Sequence, residues 1–365
     1  MIDSSIFNTS HIFNIFKNQK ILITGDTGFK GSWLAFWLSE LGAEIMGYAL
    51  PPEPHQQLFN LLKLNQRITH VDGDVRDFDQ LNKVIKDFSP TFIFHLAAQP
   101  LVRLSYQAPR ETFATNILGS THILEAARTC ESLRVLIYVT SDKCYKNKEQ
   151  RCAYREDDIL GGYDPYSASK AAAEIIFSSY LDSFFSQMLR KIGVASVRSG
   201  NVIGGGDWSV DRIVPDVIKA LQENLPISIR NPQAVRPWQH VLDPLSGYLK
   251  LAARLYHEPK LYQGSWNFGP ESSSGQCVEQ LVDEIITIWG EGEKKLIKPS
   301  QSNINHLHEA DFLTLNCDKA HQLLQWRPQW DFAAAVRQTV EWYQGVYQGE
   351  DPLEMTRRQL VEWAR

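Results

Sequence analysis

The chain has 365 residues, with 37 Lys and Arg against 42 Asp and Glu, a net charge of −5 at neutral pH. That balance offers no basic footprint for nucleic acid, while 43% hydrophobic and 22% charged residues is an ordinary globular composition that can fill a large core. No apolar run is long enough to span a bilayer, and five cysteines (Cys130, Cys144, Cys152, Cys277 and Cys317), odd in number and without metal-ligand spacing, read as free thiols with no metal site.

Residues 1–20 carry Phe7, Phe13 and Phe16 but no small-residue cleavage pattern, so they are expected to form an arm packed on the domain, not a signal peptide. Apolar runs then alternate with helical patterns. Strands are predicted over Lys20 to Thr24, Glu44 to Tyr48, Phe92 to Leu96, Val135 to Thr140 and Val194 to Arg198. Helices are predicted between them over Gly31 to Leu41, Asp79 to Phe88, Arg110 to Cys130 and Pro165 to Phe185. In the first helix, Trp33, Phe36, Trp37 and Leu41 recur at helical spacing as a buried stripe. The alternation predicts an α/β fold, a Rossmann-type doubly wound parallel sheet. The strand runs are continuous rather than alternating, as in strands covered on both faces. Beyond residue 200 the rhythm breaks. Gly204-Gly205-Gly206-Asp207-Trp208 reads as a loop, and helices are predicted over Asp211 to Glu223, Asp243 to Tyr256, Gln276 to Trp289 and Phe332 to Tyr343. Residues 1–200 are expected to form a dinucleotide-binding domain to which some later segments return. Residues 201–365 are expected to form mainly a smaller C-terminal substrate-binding cap.

The first strand runs into Gly25-Asp26-Thr27-Gly28-Phe29-Lys30-Gly31. Gly25 permits the tight turn, Gly28 a close approach of backbone to a pyrophosphate, and Gly31 the packing of helix on strand. The helix N-terminus then faces the phosphates, so Thr27, Phe29 and Lys30 are cofactor contacts as well. Asp74 and Val75 offer a carboxylate and an apolar contact to adenine. Leu96, Ala97 and Ala98 end a strand with residues that permit close approach, and Asn116 and Thr140 complete the expected cofactor wall. A carboxylate for the adenosine ribose is expected at the end of the second strand, yet Ala49 stands there, no Arg marks a 2′-phosphate, and Glu53 is a weak substitute. This contact leaves NAD and NADP both open.

Tyr166 and Lys170 form Tyr-x-x-x-Lys behind Asp164-Pro165, a good N-cap and first helical residue. They share a helix face. A tyrosine titrates at about 10 unless perturbed, and the ammonium and the helix N-terminus are expected to favour its phenolate. Ser141 supplies a hydroxyl to hold a substrate hydroxyl, Asp142 an acid and Lys143 an amine. Cys144 reads as packing.

On these residues the chain resembles the extended short-chain dehydrogenase/reductase superfamily along nearly its whole length. The strings Gly25 to Leu34, Thr140 to Tyr145, Gly161 to Lys170, Gly200 to Trp208 and Arg236 to Val241 are similar to those of its CDP-glucose 4,6-dehydratase branch. The resemblance implies NAD as cofactor and CDP-glucose as substrate. It implies oxidation at C4, loss of water across C5 and C6, and return of the hydride to C6. It further implies a cytoplasmic homodimer or homotetramer serving deoxyhexose synthesis for bacterial surface polysaccharide. By position Ser141 becomes the hydroxyl anchor and Asp142 the acid, while Lys143 falls where dTDP-sugar dehydratases carry a Glu base. An ammonium cannot accept a proton and should keep Asp142 ionised. Either desolvation makes Lys143 a base, the reading favoured here, or Lys143 stays charged and stabilises the enolate while Tyr166 or water moves the proton.

Asn201 is expected to meet the sugar or its phosphate, and Arg212, Arg230 and Arg236 to supply cations for a diphosphate. His240 reads as a structural hydrogen-bonder. The rivals are an epimerase or another nucleotide-sugar dehydratase of the same fold and, from another class, a non-catalytic NAD-binding regulator. Asp142 and Lys143 argue against a plain epimerase, and intact Ser141, Tyr166 and Lys170 against a regulator.

Overall fold

A computed structural model describes residues 11–52, 58–148, 152–271, 275–296 and 312–365. Its centre is a sheet of seven strands: β1 (Lys20–Thr24), β2 (Glu44–Ala49), β3 (Thr69–Asp72), β4 (Phe92–His95), β5 (Val135–Val139), β6 (Gly193–Ser199) and β7 (Gly264–Phe268). All six pairings are parallel, in the order β7-β6-β5-β4-β1-β2-β3. The order reverses between β1 and β4, and in such sheets the crevice at the carboxyl ends of those strands binds ligands.

The sheet divides the core because side chains alternate along each strand. Ile21 and Ile23 of β1 pack on one face with Phe94, Ile137 and Val197, against Trp33 and Trp37 of helix α1 (Phe29–Glu40). Leu22, Ile93, Leu136 and Val194 pack on the other, against Leu81 and Ile85 of α2 (Phe78–Phe88) and Phe177 of α3 (Pro165–Ser183). Gly31 through Leu38 are all buried. This is more than a stripe, because α1 is covered on its far side as well: Trp37 meets Trp363 edge-on at 5.2 Å.

Five of the seven strands fall where the apolar runs predict them. The edge strands β3 and β7 do not announce themselves. Thr69-His70-Val71-Asp72 is half exposed and polar, and Gly264-Ser265-Trp266-Asn267-Phe268 mixes polar with aromatic residues. The predicted helix from Arg110 to Cys130 is Pro109–Phe113, a π-helical stretch Ala114–Gly119, and Ser120–Thr129. In the N-terminal arm, Phe13 and Phe16 are buried, and Phe16 packs edge-on to Phe92 at 5.3 Å. Phe7 lies outside the described residues.

Beyond β6, Val202–Ile203 pairs with Gln239–His240, Val235–Arg236 with Gln276–Cys277, and Ile227–Ile229 with Lys294–Leu296. Around these lie α4 (Ile213–Gln222), α5 (Leu242–His257), α6 (Val278–Trp289), α7 (Phe332–Tyr347) and α8 (Pro352–Trp363). Helix α8 is not among those predicted from the sequence. It is capped by Asp351 and anchored where Trp363 Nε1 donates to buried Asp243 at 2.8 Å.

One ion pair sits inside this frame. Glu174 of α3 and Arg198 of β6 meet at 2.6 Å with side chains 1% and 2% exposed. Burial pushes the Glu174 carboxyl up, but Arg198 together with hydrogen bonds from Thr140 and Ser196 outweighs it and the pKa is lowered. Removing one partner of such a pair strands the other charge. Glu174→Ala is therefore expected to cost about 3–5 kcal/mol in urea unfolding, and a loss below about 1 kcal/mol, the range of a surface pair, would contradict this.

Candidate active site

A cleft of about 740 Å³ opens at the carboxyl ends of β1, β4, β5 and β6. Of the site residues singled out from the sequence, all line it except Asn116 and Glu53, the latter outside the described residues.

The glycine loop forms one end. Gly25 has φ +78°, and a Cβ there would stand 2.7 Å from the Ala97 nitrogen; one on Gly31 would stand 2.0 Å from the Gly25 carbonyl. Strand, loop and helix are thus in direct backbone contact, and Gly28 N-caps α1, whose N-terminus opens into the cleft. This glycine-walled cradle fits a dinucleotide pyrophosphate. Gly25, Thr27, Gly28, Phe29, Gly31, Asp74, Val75, Leu96, Ala97 and Ala98 line this end of the cleft.

At the adenosine end, Ala49 lines the cleft and Glu53 lies outside the described residues. Asp74 is in bidentate contact with Arg76, whose guanidinium holds the carboxyl below its usual range. A second carboxylate is hidden in the loop itself: Asp26 is fully buried and meets His70 Nδ1 at 2.7 Å. His70 Nε2 lies 3.1 Å from Asp72, and its ring packs against Phe59. Asn116, expected on the cofactor, stands behind the wall. Its amide accepts from the Gln99 nitrogen and donates to the Gln99 carbonyl and Ser169 Oγ, at 2.8, 3.0 and 2.9 Å.

The reactive group is brought together by β5 and α3. Ser141 caps a short 3-10 turn over Asp142–Cys144 by accepting from the Lys143 nitrogen. Asp164 caps α3 by accepting from the Ser167 nitrogen at 2.9 Å, and Pro165 follows at the first helical position. These caps aim Ser141, Asp142, Tyr166 and Lys170 into one space. The Tyr166 hydroxyl is hydrogen-bonded to Ser141, and Ser141 Oγ donates to Asp142 Oδ1 at 3.1 Å.

Burial governs the charges here. Desolvation raises the Asp142 carboxyl although Lys143, Ser141, Lys30 and Arg236 all pull it down. It lowers Lys170 to about 8 against the charge of Glu174. It also raises Tyr166 to about 12, so the lowering expected from Lys170 and the helix N-terminus is overridden. Thr140 Oγ1 donates to Glu174 Oε1 in a short contact. The Cys144 thiol is buried and pushed well up.

At the far end, Arg212 pairs with Asp207 at 2.8 Å. Arg230 and Arg103 both reach Asp211 Oδ1, at 3.4 and 3.3 Å. Arg236 is buried, with Nη1 donating to the Val235 carbonyl, and Asn201 lies between β6 and Val202–Ile203. Sequence reasoning missed Arg103, Asp211 and Glu174. Only Glu174 carried a signal, standing four residues past Lys170 on one helix face.

A family model described as GDP-mannose 4,6 dehydratase matches residues 22–339. CDP-glucose 4,6-dehydratase of Salmonella typhimurium is 44% identical over 353 residues, 96% of this chain and 97% of that protein. The chain belongs to the nucleotide-sugar 4,6-dehydratase family of extended short-chain dehydrogenase/reductases. Family members further off include dTDP-D-glucose 4,6-dehydratase of Homo sapiens, 25% identical over 89% of this chain and 90% of that protein. The same fold is found in dTDP-glucose 4,6-dehydratase of Bacillus anthracis, solved with NAD. There the TM-score is 0.74 at 22% identity, over 92% of this chain and 99% of that one.

The buried Asp26–His70 contact gives a pH prediction. The Asp26 hydrogen bond raises the His70 pKa, and desolvation raises that of Asp26. A histidine raised above its unfolded value, about 6.5, contributes stability that is present below that value and lost as pH rises through the folded one. The raised Asp26 acts in the same direction. Thermal unfolding is expected to show stability falling as pH rises above about 6.5, and His70→Gln to flatten that fall; an unchanged slope would contradict the linkage.

Proposed function

We propose that the protein is a CDP-glucose 4,6-dehydratase, an NAD-dependent hydro-lyase that converts CDP-D-glucose to CDP-4-keto-6-deoxy-D-glucose. The observation that carries this reading is the row Tyr166–Ser141–Asp142. It joins a dehydrogenase tyrosine to a carboxyl raised by burial, in a chain 44% identical to a curated enzyme of that name. When bound, NAD supplies a nicotinamide that takes a hydride from C4 and returns it at C6.

The protein's own groups move the protons. Ser141 holds the C4 hydroxyl and Tyr166 receives its proton as the phenolate, a form that the Lys170 charge beside it on α3 and the positive ring of a bound nicotinamide would favour against the burial that raises it. The 4-ketone acidifies the C5 proton. Asp142, whose burial favours the protonated carboxyl, then protonates the leaving C6 oxygen. Over one turnover Tyr166 gains a proton and Asp142 loses one, and Ser141 lies between them as the link that rebalances the pair. Lys143, next to Asp142 in the chain and lining the cleft, takes the charge role and stabilises the enolate. Arg212, Arg230 and Arg236, with Asn201, face the diphosphate, and the Asp211 carboxylate between Arg230 and Arg103 is displaced by it. Asp74, Val75 and the glycine loop hold the dinucleotide, and residues 201–365 carry most of the nucleotide-sugar end.

The helices over residues 109–129 and 165–183 leave Phe113, Leu118 and Ile175 exposed. Such apolar positions on neighbouring helices support pairing of two copies, as a homodimer or as half of a homotetramer. Among the described residues no helix is long and apolar enough to cross a membrane. The setting we propose is cytoplasmic, with the product serving deoxysugar synthesis for surface polysaccharide.

The test is incubation with CDP-, dTDP-, UDP- and GDP-glucose with NAD, following loss of one water by mass spectrometry. Loss from CDP-glucose is expected, and loss from none would overturn the reading. Tyr166→Phe is expected to abolish conversion with NAD affinity retained. Lys143→Met is expected to keep dehydration at a rate reduced about 100-fold; total loss would make Lys143 the base instead.

A further inference from the structure

Lys30 occupies the second position of α1, where the sequence alone assigns it to the pyrophosphate. Its side chain leads elsewhere. Lys30 Nζ donates to Ser199 Oγ at 2.8 Å, at the carboxyl end of β6. Ser199 Oγ also accepts from the buried Tyr248 hydroxyl at 2.8 Å. The amine is thus anchored next to Gly200 and Asn201, at the sugar end of the cleft. The charged groups that act on it are Arg212, Asp142, Lys170 and Asp207, the reactive group and the far wall. The coupling is mutual, since Lys30 is among the groups that lower Asp142. Asp142 Oδ2 is buried without a hydrogen-bond partner among the described residues, which leaves it for a substrate hydroxyl.

Surrounding protein desolvates the Lys30 amine and lowers it to about 7, and the same burial raises Asp142. Both shifts favour the uncharged partner in a low-dielectric site. The pair therefore tends toward a protonated carboxyl beside a free amine, the combination that elimination of water requires.

We propose that Lys30 is a catalytic residue of the dehydration step, its amine taking the C5 proton while Asp142 protonates the C6 oxygen. The proposal rests on the 4,6-dehydratase reading and deepens it. The C5–H bond breaks, its electron pair stays as the enolate of the 4-ketone, and the proton joins the Lys30 lone pair. The C6–O bond breaks and the oxygen leaves as water with the proton of Asp142. Once C6 is reduced, the Lys30 ammonium returns its proton to C5, so the amine is regenerated without a further reactant.

Lys30→Met and Lys30→Arg test this against the wild type. For Lys30→Met, calorimetry is expected to show unchanged NAD affinity. Adding CDP-glucose should still generate reduced nicotinamide, which persists, while dehydration slows by about 100-fold or more. Lys30→Arg should not rescue, because a guanidinium does not give up its proton. In the wild type the dehydration rate should fall as pH drops below about 7, as the amine is protonated. Lys30 is not the base if Lys30→Met dehydrates near the wild-type rate, or if Lys30→Arg restores it. A weakened NAD affinity with an unchanged balance of oxidation and dehydration makes Lys30 a pyrophosphate ligand instead. Failure of the wild type to release water from CDP-glucose removes the dehydratase reading itself, and this proposal with it.

Discussion

The buried ion pair between Glu174 and Arg198 joins the parts of the site that the chain supplies from distant places. Glu174 stands one turn beyond Lys170 on the helix that carries Tyr166, and it also receives hydrogen bonds from Thr140 and Ser196. Arg198 donates to Ser265 of the edge strand β7 and to Tyr145, which in turn donates to Asn267. Strands β5, β6 and β7, helix α3 and the turn at Asp142 are thus fixed to one pair of charges. A buried pair is costly to desolvate, and replacing it by apolar residues is often neutral for stability. Its value here lies in placement. Glu174 puts a fixed negative charge beneath Lys170, opposing the burial that lowers the amine, and holds the strand end that presents Ser141.

A second theme is that desolvation, more than pairwise charge, sets the protonation states around the cleft. Asp142 is raised despite Lys143, Lys30 and Arg236, and Tyr166 is raised despite its bond to Ser141. Reasoning from adjacent charges alone inverts the answer for Asp142, because Lys143 pulls in the direction expected and still loses. Water exclusion is what lets a carboxyl serve as an acid near neutrality, and it comes from the walls of the cleft, not from any single neighbour.

Much of this was legible in the sequence because local rules and global fold agree. The glycine loop announces itself because Gly25 and Gly31 occupy places where a side chain would collide with backbone. The cap Asp164-Pro165 predicts where Tyr166 and Lys170 begin their helix. The five central strands read as apolar runs because both of their faces are covered. The edge strands β3 and β7 are partly solvated and so lose that signal. Asn116 looked like a cofactor contact because of its place after a strand, yet its amide is consumed in bracing Gln99 and Ser169. Lys30 was placed by its backbone position, whereas its long side chain reaches Ser199, 169 residues further along the chain. Flexible side chains escape sequence rules in this way, since spacing fixes where a Cα sits and not where four further carbons end.

The account holds that one site oxidises, dehydrates and reduces the same sugar without releasing it. The most direct measurement is a crossover experiment. CDP-glucose carrying deuterium at C4, mixed with undeuterated substrate carrying a heavy carbon label, is converted and the products are analysed by mass spectrometry. The account predicts that deuterium appears at C6 only in molecules that began with it at C4. Deuterium shared between the two populations, or retained at C4 with no water lost, would contradict it.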